Sequence, residues 1–321
     1  MRAFALFILH SRLRAMLVTM VAAALSMIFP PFGHVSGATV GLVTLRNGWR
    51  EGLLVVGGSA VVLYALGLMS TMGSMVIVSF VLALVMVAWI PVIVCAMILR
   101  RSRSLGRALT AAGLLAAAGL AGFYLAVDDI PGWWQQVLTI VVRPMLETSQ
   151  TSLSGAEIDS LLQSMASVMT GLLAATVVYS IMINLFLARW WQALVFNPGG
   201  FREEFLFMRL DWRMAVVALL VMALASFSSG QLAYFARDLL LLIATVCSFQ
   251  GLALAHAVVV ALGLNPGWLL GLYLMLVLAL LKVGMVLSAL GLTDSVLDFR
   301  QRFRLTGRLQ RNHRPGDDQN E

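Results

Sequence analysis

The sequence predicts an all-α protein, a polytopic bundle of transmembrane helices with eight to nine membrane segments, one of them short or re-entrant. Its 321 residues are 60% hydrophobic and only 12% charged, whereas a soluble domain carries about 25% charged residues. The mean hydropathy is +0.92. Its apolar residues form long runs, and a bilayer core of about 30 Å takes roughly 20 helical residues to cross. Runs of this kind indicate helices because lipid excludes unpaired backbone groups.

Nine apolar segments follow one another along the chain. The first, preceded by an amphipathic stretch at 3–9, stops at Pro30 and Pro31, because proline cannot continue a helix. Pro91 predicts a kink in the fourth segment. The predicted segments are 15–29, 35–45, 52–69, 75–99, 108–127, 164–187, 215–227, 239–262 and 268–290.

Arginine blocks set the predicted orientation. They lie before segment one, between segments two and three, four and five, and six and seven, and after segment nine. Because cytoplasmic loops carry an excess of Lys and Arg, the N-terminus is predicted to be cytoplasmic and the protein to lie in the bacterial cytoplasmic (inner) membrane. Nine crossings would place the arginine-rich tail outside, so we predict eight crossings plus one short or re-entrant element. Which element that is stays open.

The charged loops complete the predicted organisation. Residues 1–299 form one transmembrane domain, with an outer loop at 128–163 that contains an amphipathic helix and a cytoplasmic loop at 189–213. Residues 300–321 are predicted to be a disordered, basic cytoplasmic tail. The basic residues give the chain a sequence pI of about 10.2. They are expected to attract anionic lipid headgroups, so the bilayer is an expected partner and nucleic acid is not.

Four polar residues inside apolar segments are candidate ligand-binding residues: Lys282, His256, Gln250 and Asn184. A charge at mid-membrane is costly and marks a site by default, although Lys282 could instead snorkel to an interface. His256 could contact a substrate or form an interhelical hydrogen bond. Asn184 suits a ligand site or helix–helix adhesion.

Small residues at four-residue spacing line one face of the first segment. Ala15, Thr19 and Ala23 let another helix approach closely. That face is predicted either to pack within the bundle or to dock on a membrane or cytoplasmic protein partner.

Enzymatic signatures are absent from the sequence. It contains no P-loop, HExxH, CxxC or GxSxG motif. Cys95 and Cys247 both lie in apolar runs, which excludes a disulfide framework. We therefore expect neither enzymatic activity nor a cofactor or metal site.

Three short stretches carry a family resemblance. They are Leu-Arg-Asn-Gly-Trp-Arg-Glu-Gly at 45–52, Phe-Gln-Gly-Leu at 249–252 and Gly-Leu-Thr-Asp-Ser-Val-Leu-Asp-Phe-Arg at 291–300. With the long loop before segment six, they resemble the YybS-like family of uncharacterised bacterial membrane proteins. That family is distantly similar to the S-components of energy-coupling-factor vitamin transporters, which capture a vitamin and dock on a partner that carries ATPases.

The resemblance implies a transporter-like protein that binds a small molecule and has no ATPase of its own. It also implies that the small-residue face of the first segment docks on a partner. The alternative is a non-transporting membrane scaffold or assembly factor that acts through partners of the 189–213 loop and the tail.

Overall fold

The computed structural model describes residues 1–68, 74–148 and 154–302. These residues form helices and connecting turns, with no strand among them, as the sequence predicts. Most of the predicted tail, 303–321, lies outside the described residues. The helices are α1 (Arg2–His10), α2 (Arg12–Leu25), α3 (Phe32–Asn47), α4 (Trp49–Leu68), α5 (Ser74–Ala83), α6 (Ile90–Ser102), α7 (Leu105–Ala126), α8 (Ile130–Val141), α9 (Arg143–Thr148), α10 (Gly155–Ala166), α11 (Met169–Phe196), α12 (Gly200–Leu206), α13 (Arg213–Phe227), α14 (Gly230–Ala261), α15 (Gly267–Leu278), α16 (Leu280–Leu297) and α17 (Phe299–Arg302).

Six helices in the described part of the chain are long and apolar enough to cross a membrane. They are α4, the continuous span Val78–Ser102, α7, α11, α14 and α16. The helices α1 and α2 make a seventh only if counted as one span, although they are bent by 118° against each other. The fold therefore agrees with a helical membrane bundle, whereas the predicted count of eight to nine segments is not reached.

The count differs because several apolar segments form short or broken helices. Helix α2 has 14 residues, α3 has 16 and α13 has 15. At a rise of 1.5 Å per residue these lengths are about 21 to 24 Å, below the thickness of the hydrocarbon core. The ninth predicted segment is interrupted at Ala279, where φ is −141° and ψ is 50°. Hydropathy does not register such a break, since both sides of it are apolar.

Helices α2 and α3 form a hairpin around Pro30 and Pro31. Its turn satisfies its own backbone donors: the N–H of Ile28 donates to Leu25, that of Gly33 to Pro30 and that of His34 to Pro31. These bonds pair backbone N–H groups of the turn, whereas the side chains of Met27, Ile28 and Phe29 are exposed.

Helix α3 is the central element of the bundle. Its residues from Ser36 to Leu45 are all buried, because α2, α4, α6 and α11 surround it. Small residues make this enclosure possible. An added Cβ at Gly37 would overlap the side-chain amide of Asn184, and one at Gly41 would lie 3.0 Å from Ala188.

The contacts of α3 show how far it extends along α11. Gly37 faces Asn184, Gly41 faces Ala188 and Arg46 stacks on Phe196 at 4.1 Å. The residue numbers of both partners increase in the same direction, so the two helices are parallel. Helix α3 therefore lies beside only the second half of α11, and both helices end at the same end of the bundle.

The arginine blocks meet at that end, which we call the arginine-rich end. Polar contacts join the starts of α2, α4 and α7, the ends of α3, α6, α11 and α16, and the α12–α13 loop. The contacts are Arg12 with Glu51 at 2.6 Å, Arg100 with the Thr44 carbonyl at 3.3 Å, Arg189 with Glu204 at 2.8 Å, Gly106 against the Arg209 carbonyl and Arg209 with Asp298 at 2.6 Å.

The described residues of the 128–163 region, 128–148 and 154–163, pack on the opposite end of the bundle. Helices α8 and α10 bury a small apolar cluster that includes Trp134 and Leu162, and the Trp134 indole donates to Thr170 Oγ1 at 2.8 Å. A capping box of Ser154 and Glu157 begins α10. The hydrogen bonds from Ser154 to the Glu157 carboxylate lower the pKa of that carboxyl.

Helices α14 and α16 cross at two glycines. A Cβ added at Gly251 would overlap the carbonyl oxygen of Leu287, and one added at Gly291 would overlap that of Cys247. Along the pair, Ser288 Oγ donates to the Ala244 carbonyl at 2.6 Å and Gln250 donates to Asp294 at 2.7 Å. The two helices therefore run in the same direction, and α15 carries the chain back between them.

Replacing Gly251 by alanine is predicted to destabilise the protein by about 1–3 kcal/mol or more, because the added methyl group meets a backbone atom that cannot move independently. The measurement is the free energy of unfolding in mixed micelles during titration with denaturing detergent.

Gly284→Ala in α16 is the matched control, since no atom lies within 4 Å of the added Cβ. Alanine favours a helix interior over glycine by about 1 kcal/mol, so this variant should be at least as stable as the wild type. Equal losses in the two variants would contradict the close crossing.

Candidate functional site

A polar pair lies at mid-depth where α3 begins. The Nδ1–H of His34 donates to Oδ1 of Asn184 at 2.9 Å. From residue 184 the helix α11 rises about 18 Å to its end at 196, and about 22 Å back to its start at 169. The pair is therefore far from both ends of the bundle, where charged side chains and the bilayer surfaces are expected.

The amide nitrogen of Asn184 is the unusual atom of this pair. The residue is 1% exposed, and its Nδ2 has no hydrogen-bond partner among the described residues. It points at Gly37, where only a glycine leaves room for it. A buried donor without a partner costs about 1–3 kcal/mol, so a partner supplied from outside the chain would remove a real penalty.

A buried tryptophan closes the site on the side of α6. The Trp89 indole donates to Ser36 Oγ at 3.0 Å, and both residues are fully buried. Trp89 ends a π-helical turn, Leu84–Trp89, two residues before Pro91. Proline removes a backbone donor, and π-helical turns occur often at functional sites. Pro91 lies within the continuous span Val78–Ser102, and the predicted kink there stays a prediction.

The chemistry of this site is hydrogen bonding to a small polar molecule. The first N–H groups of α3 are already paired with carbonyls of the preceding turn, so the helix end is no open cradle for an anion. The free donor is the Asn184 amide, and the His34 ring can donate or accept. Among the described residues, no three His, Cys, Asp or Glu side chains lie together as metal ligands would.

The structure places the four predicted ligand residues in separate surroundings. Asn184 lies in the mid-depth site. Gln250 is fully buried, its Oε1 accepts from the Leu210 N–H at 2.9 Å and its Nε2 donates to Asp294. Both ends of its amide are thus occupied within the protein.

His256 and Lys282 have other surroundings than Asn184. His256 donates from Nδ1 to the Leu252 carbonyl at 2.9 Å, and its Nε2 lies 3.2 Å from the Tyr273 hydroxyl. Lys282 is exposed on the surface of α16. The described contacts do not join these four residues into one pocket, and their role in ligand binding stays a prediction.

The predicted docking face of the first segment is turned inward. Ala15, Thr19 and Ala23 are each 1% exposed or less, because α2 packs on α3 and α4. The Met16 carbonyl on this helix accepts from Ser59 at 3.3 Å. The small-residue stripe is therefore a packing face of the bundle and not an exposed docking surface.

Two of the motifs that carry the family resemblance meet at the arginine-rich end. Gln250 donates to Asp294, whose other oxygen accepts from the Phe299 N–H at 3.1 Å, and Arg300 lies 3.3 Å from Asp294. Asp294 and Arg300 are almost fully buried. Burial lowers the pKa of the Arg300 guanidinium, and the Asp294 carboxylate opposes that shift. This cluster fastens the chain after α16 to the α12–α13 loop.

His34, Ser36 and Trp89 are not among the site residues predicted from the sequence. The available signal was a histidine four residues after the start of a double proline, at the beginning of a segment too short to span. Short segments of this kind can be half-length helices whose ends lie inside the membrane.

Comparison of the chain with protein-family models, with curated proteins and with solved structures finds no match in any of the three. The resemblance to the YybS-like family stays a prediction.

Replacing Asp294 by alanine is predicted to cost about 3–5 kcal/mol of stability, because it leaves the buried Arg300 guanidinium without this carboxylate. Detergent titration of purified protein measures the loss.

Glu147→Ala is the control, since Glu147 pairs with Arg143 at 3.4 Å but is 58% exposed, and such pairs contribute less than about 1 kcal/mol. The interpretation fails if both variants are equally stable.

Proposed function

We propose that this protein binds a small polar molecule at mid-depth and acts as a transporter-like membrane protein without an ATPase of its own. The observation that carries the proposal is the Asn184 amide nitrogen, which is buried at the start of a half-length helix and has no partner among the described residues.

The architecture supports transport over simple anchoring. In many transporters the substrate site lies near the bilayer midplane, at helices that are interrupted there. Here α2 and α3 turn back at Pro30 and Pro31, and α3 begins beside Asn184. The adjacent π-helical turn, Leu84–Trp89, is a second irregular backbone element at this level, and irregular backbone is tolerated where it lines a protein cavity.

We also propose that the arginine-rich end faces the cytoplasm of a bacterial cell, with the protein in the cytoplasmic membrane. The α2–α3 hairpin then enters from the cytoplasmic side without crossing. Eight crossings follow if the short helices α13 and α15 cross a locally thinned bilayer together with the six longer spans. Both ends of the described chain then lie on the cytoplasmic side, as the positive charge of each end favours.

The alternative function, a membrane scaffold, is favoured by the exposed apolar side chains of α15 and the start of α16. The 189–213 loop offers less free surface to a partner, because Phe205 of this loop packs against His256 of α14. A partner surface is therefore better sought on α15 and the start of α16, whose apolar side chains are exposed.

The proposal predicts that a ligand raises the melting temperature of the protein in lipid nanodiscs. Vitamins, nucleobases, amino acids and small carboxylates are the probes. A ligand at 100 times its Kd stabilises the folded state by about 2.7 kcal/mol. Asn184→Ala should lose most of this shift, because it removes the free donor.

Thr176→Val in the same helix is the matched control, since the Thr176 hydroxyl donates only to the Leu172 carbonyl of its own helix. It should keep the ligand-induced shift. The proposal is abandoned if no probe shifts the melting temperature, or if Asn184→Ala responds as the wild type does.

The proposed orientation predicts the position of the C-terminus. Alkaline phosphatase fused after Arg314 should be inactive and a green fluorescent protein at the same point should fluoresce, since the first folds only outside the cytoplasm and the second only inside. The reverse pattern would require an odd number of crossings.

A further inference from the structure

A groove opens on the surface of the bundle between α7 and α13. Helix α14 contacts both of these helices and forms the floor of the groove. The volume is about 340 Å³, and the walls and floor are built from apolar side chains such as Ala117, Val217 and Val246. The hydroxyl of Thr110, which also lines the groove, donates to the Gly106 carbonyl of its own helix at 3.0 Å. The part of a ligand that fills this groove is therefore apolar.

The groove lies in the half of the bundle next to the arginine-rich end. It begins at Arg213, the first residue of α13. From Thr110 to Ala117, which both line it, α7 rises about 10 Å, a third of a hydrocarbon core of about 30 Å. Leu114 in the wall is 67% exposed. The groove is therefore open to the acyl chains of the leaflet next to the arginine-rich end.

Two arginines flank the groove where it reaches the bilayer surface. Arg213 lines it directly. Arg107 is seven residues before Leu114, which is about two helical turns and places both residues on the same side of α7. Arg107 is exposed, and it forms no ion pair with an acid among the described residues.

One acid, Asp211, also lines this end of the groove. Its Oδ1 accepts from the backbone N–H of Arg213 at 2.9 Å and lies 3.8 Å from Nε of the Arg213 guanidinium. The side chains of Arg213 and Asp211 are 79% and 64% exposed, and such exposed pairs are weak. With Arg107 and Arg213 against Asp211, this end of the groove carries a net positive charge.

We propose that the groove binds an anionic phospholipid, with one acyl chain along α14 and the headgroup phosphate at Arg107 and Arg213. Charge complementarity identifies the occupant, because an apolar groove with a cationic end at the bilayer surface matches the two parts of such a lipid. Guanidinium groups bind phosphate oxygens through paired hydrogen bonds. The groove shares no lining residue with the site of His34 and Asn184, so the inference does not rest on the proposed ligand.

Photolabelling in lipid nanodiscs tests this inference. The nanodiscs hold the full chain, an excess of phosphatidylcholine, and a trace of phosphatidylglycerol or phosphatidylcholine that carries a diazirine in the middle of one acyl chain. Illumination expels nitrogen from the diazirine, and the resulting carbene inserts into a neighbouring bond of the protein, which mass spectrometry locates. We expect the phosphatidylglycerol probe to label Leu114 and Val217 about 25-fold more than the phosphatidylcholine probe, because each of the two arginines contributes about fivefold.

Replacing either arginine tests the headgroup contact. Arg107→Gln and Arg213→Gln should each reduce the preference for phosphatidylglycerol to about fivefold, and both side chains lie on the surface, so the fold should be unaffected. Arg202→Gln is the matched control, because Arg202 is exposed in α12 but does not line the groove. This variant makes the same change of charge and should keep the full preference.

Replacing Ala117 by phenylalanine tests the acyl chain separately. The ring would occupy the groove while both arginines stay in place, so the labelling of Val217 by either probe should fall. Gly122→Phe in the same helix is the control, since no atom lies within 4 Å of an added Cβ there, and it should leave this labelling unchanged.

Three results would overturn the inference. They are equal labelling of the groove by the two probes in the wild type, a preference that Arg202→Gln reduces as much as Arg107→Gln and Arg213→Gln do, and labelling of Val217 that Ala117→Phe leaves unchanged.

Discussion

The enclosure of α3 by α2, α4, α6 and α11 is the contact on which the rest of the structure depends. A helix can be buried on all sides only if its own side chains are small where its neighbours approach, and Gly37 and Gly41 provide that space. Because the helices approach closely, the Asn184 amide lies against Gly37 of α3 and the Trp89 indole donates to Ser36. The mid-depth site is thus a consequence of packing. A larger residue at position 37 would remove both the fit and the site.

The distribution of polar groups follows from the cost of placing them in lipid. Five of the seven ion pairs among the described residues lie at the arginine-rich end. There Arg209, Asp298, Asp294 and Arg300 join the α12–α13 loop to the end of α16. The polar groups away from that end are mostly paired, as Asp238 is with Tyr124. The Asn184 amide nitrogen, the Thr19 hydroxyl and the Trp191 indole nitrogen are buried groups for which the described chain supplies no hydrogen-bond partner. Of these three, the Asn184 amide lies beside the start of α3 and next to His34, and for this reason it is the one that supports a ligand.

Much of the fold was predictable, and the failures have a common cause. Long apolar runs identified α4, α7, α11 and α14 because each of these helices satisfies its backbone internally. The predicted number of membrane segments was wrong because an apolar run is broken at Ala279 and because α2 and α3 are short helices of 14 and 16 residues. Hydropathy measures the transfer of side chains into lipid and is insensitive to the direction of the chain. Within the site, only Asn184 was anticipated, because its partner His34 is 150 residues away in sequence.

The sequence by itself determined that the protein is helical and apolar and that its positive charge is concentrated in a few loops, because each residue's preference for water or lipid acts locally. Tertiary structure alone decided that α2 and α3 meet in a hairpin beside the middle of α11, that Ala15, Thr19 and Ala23 face inward, and that Lys282 faces outward. Each of these outcomes depends on which distant helix packs beside the residue, through close approaches such as that of Gly251 to Gly291. No local pattern encodes that choice.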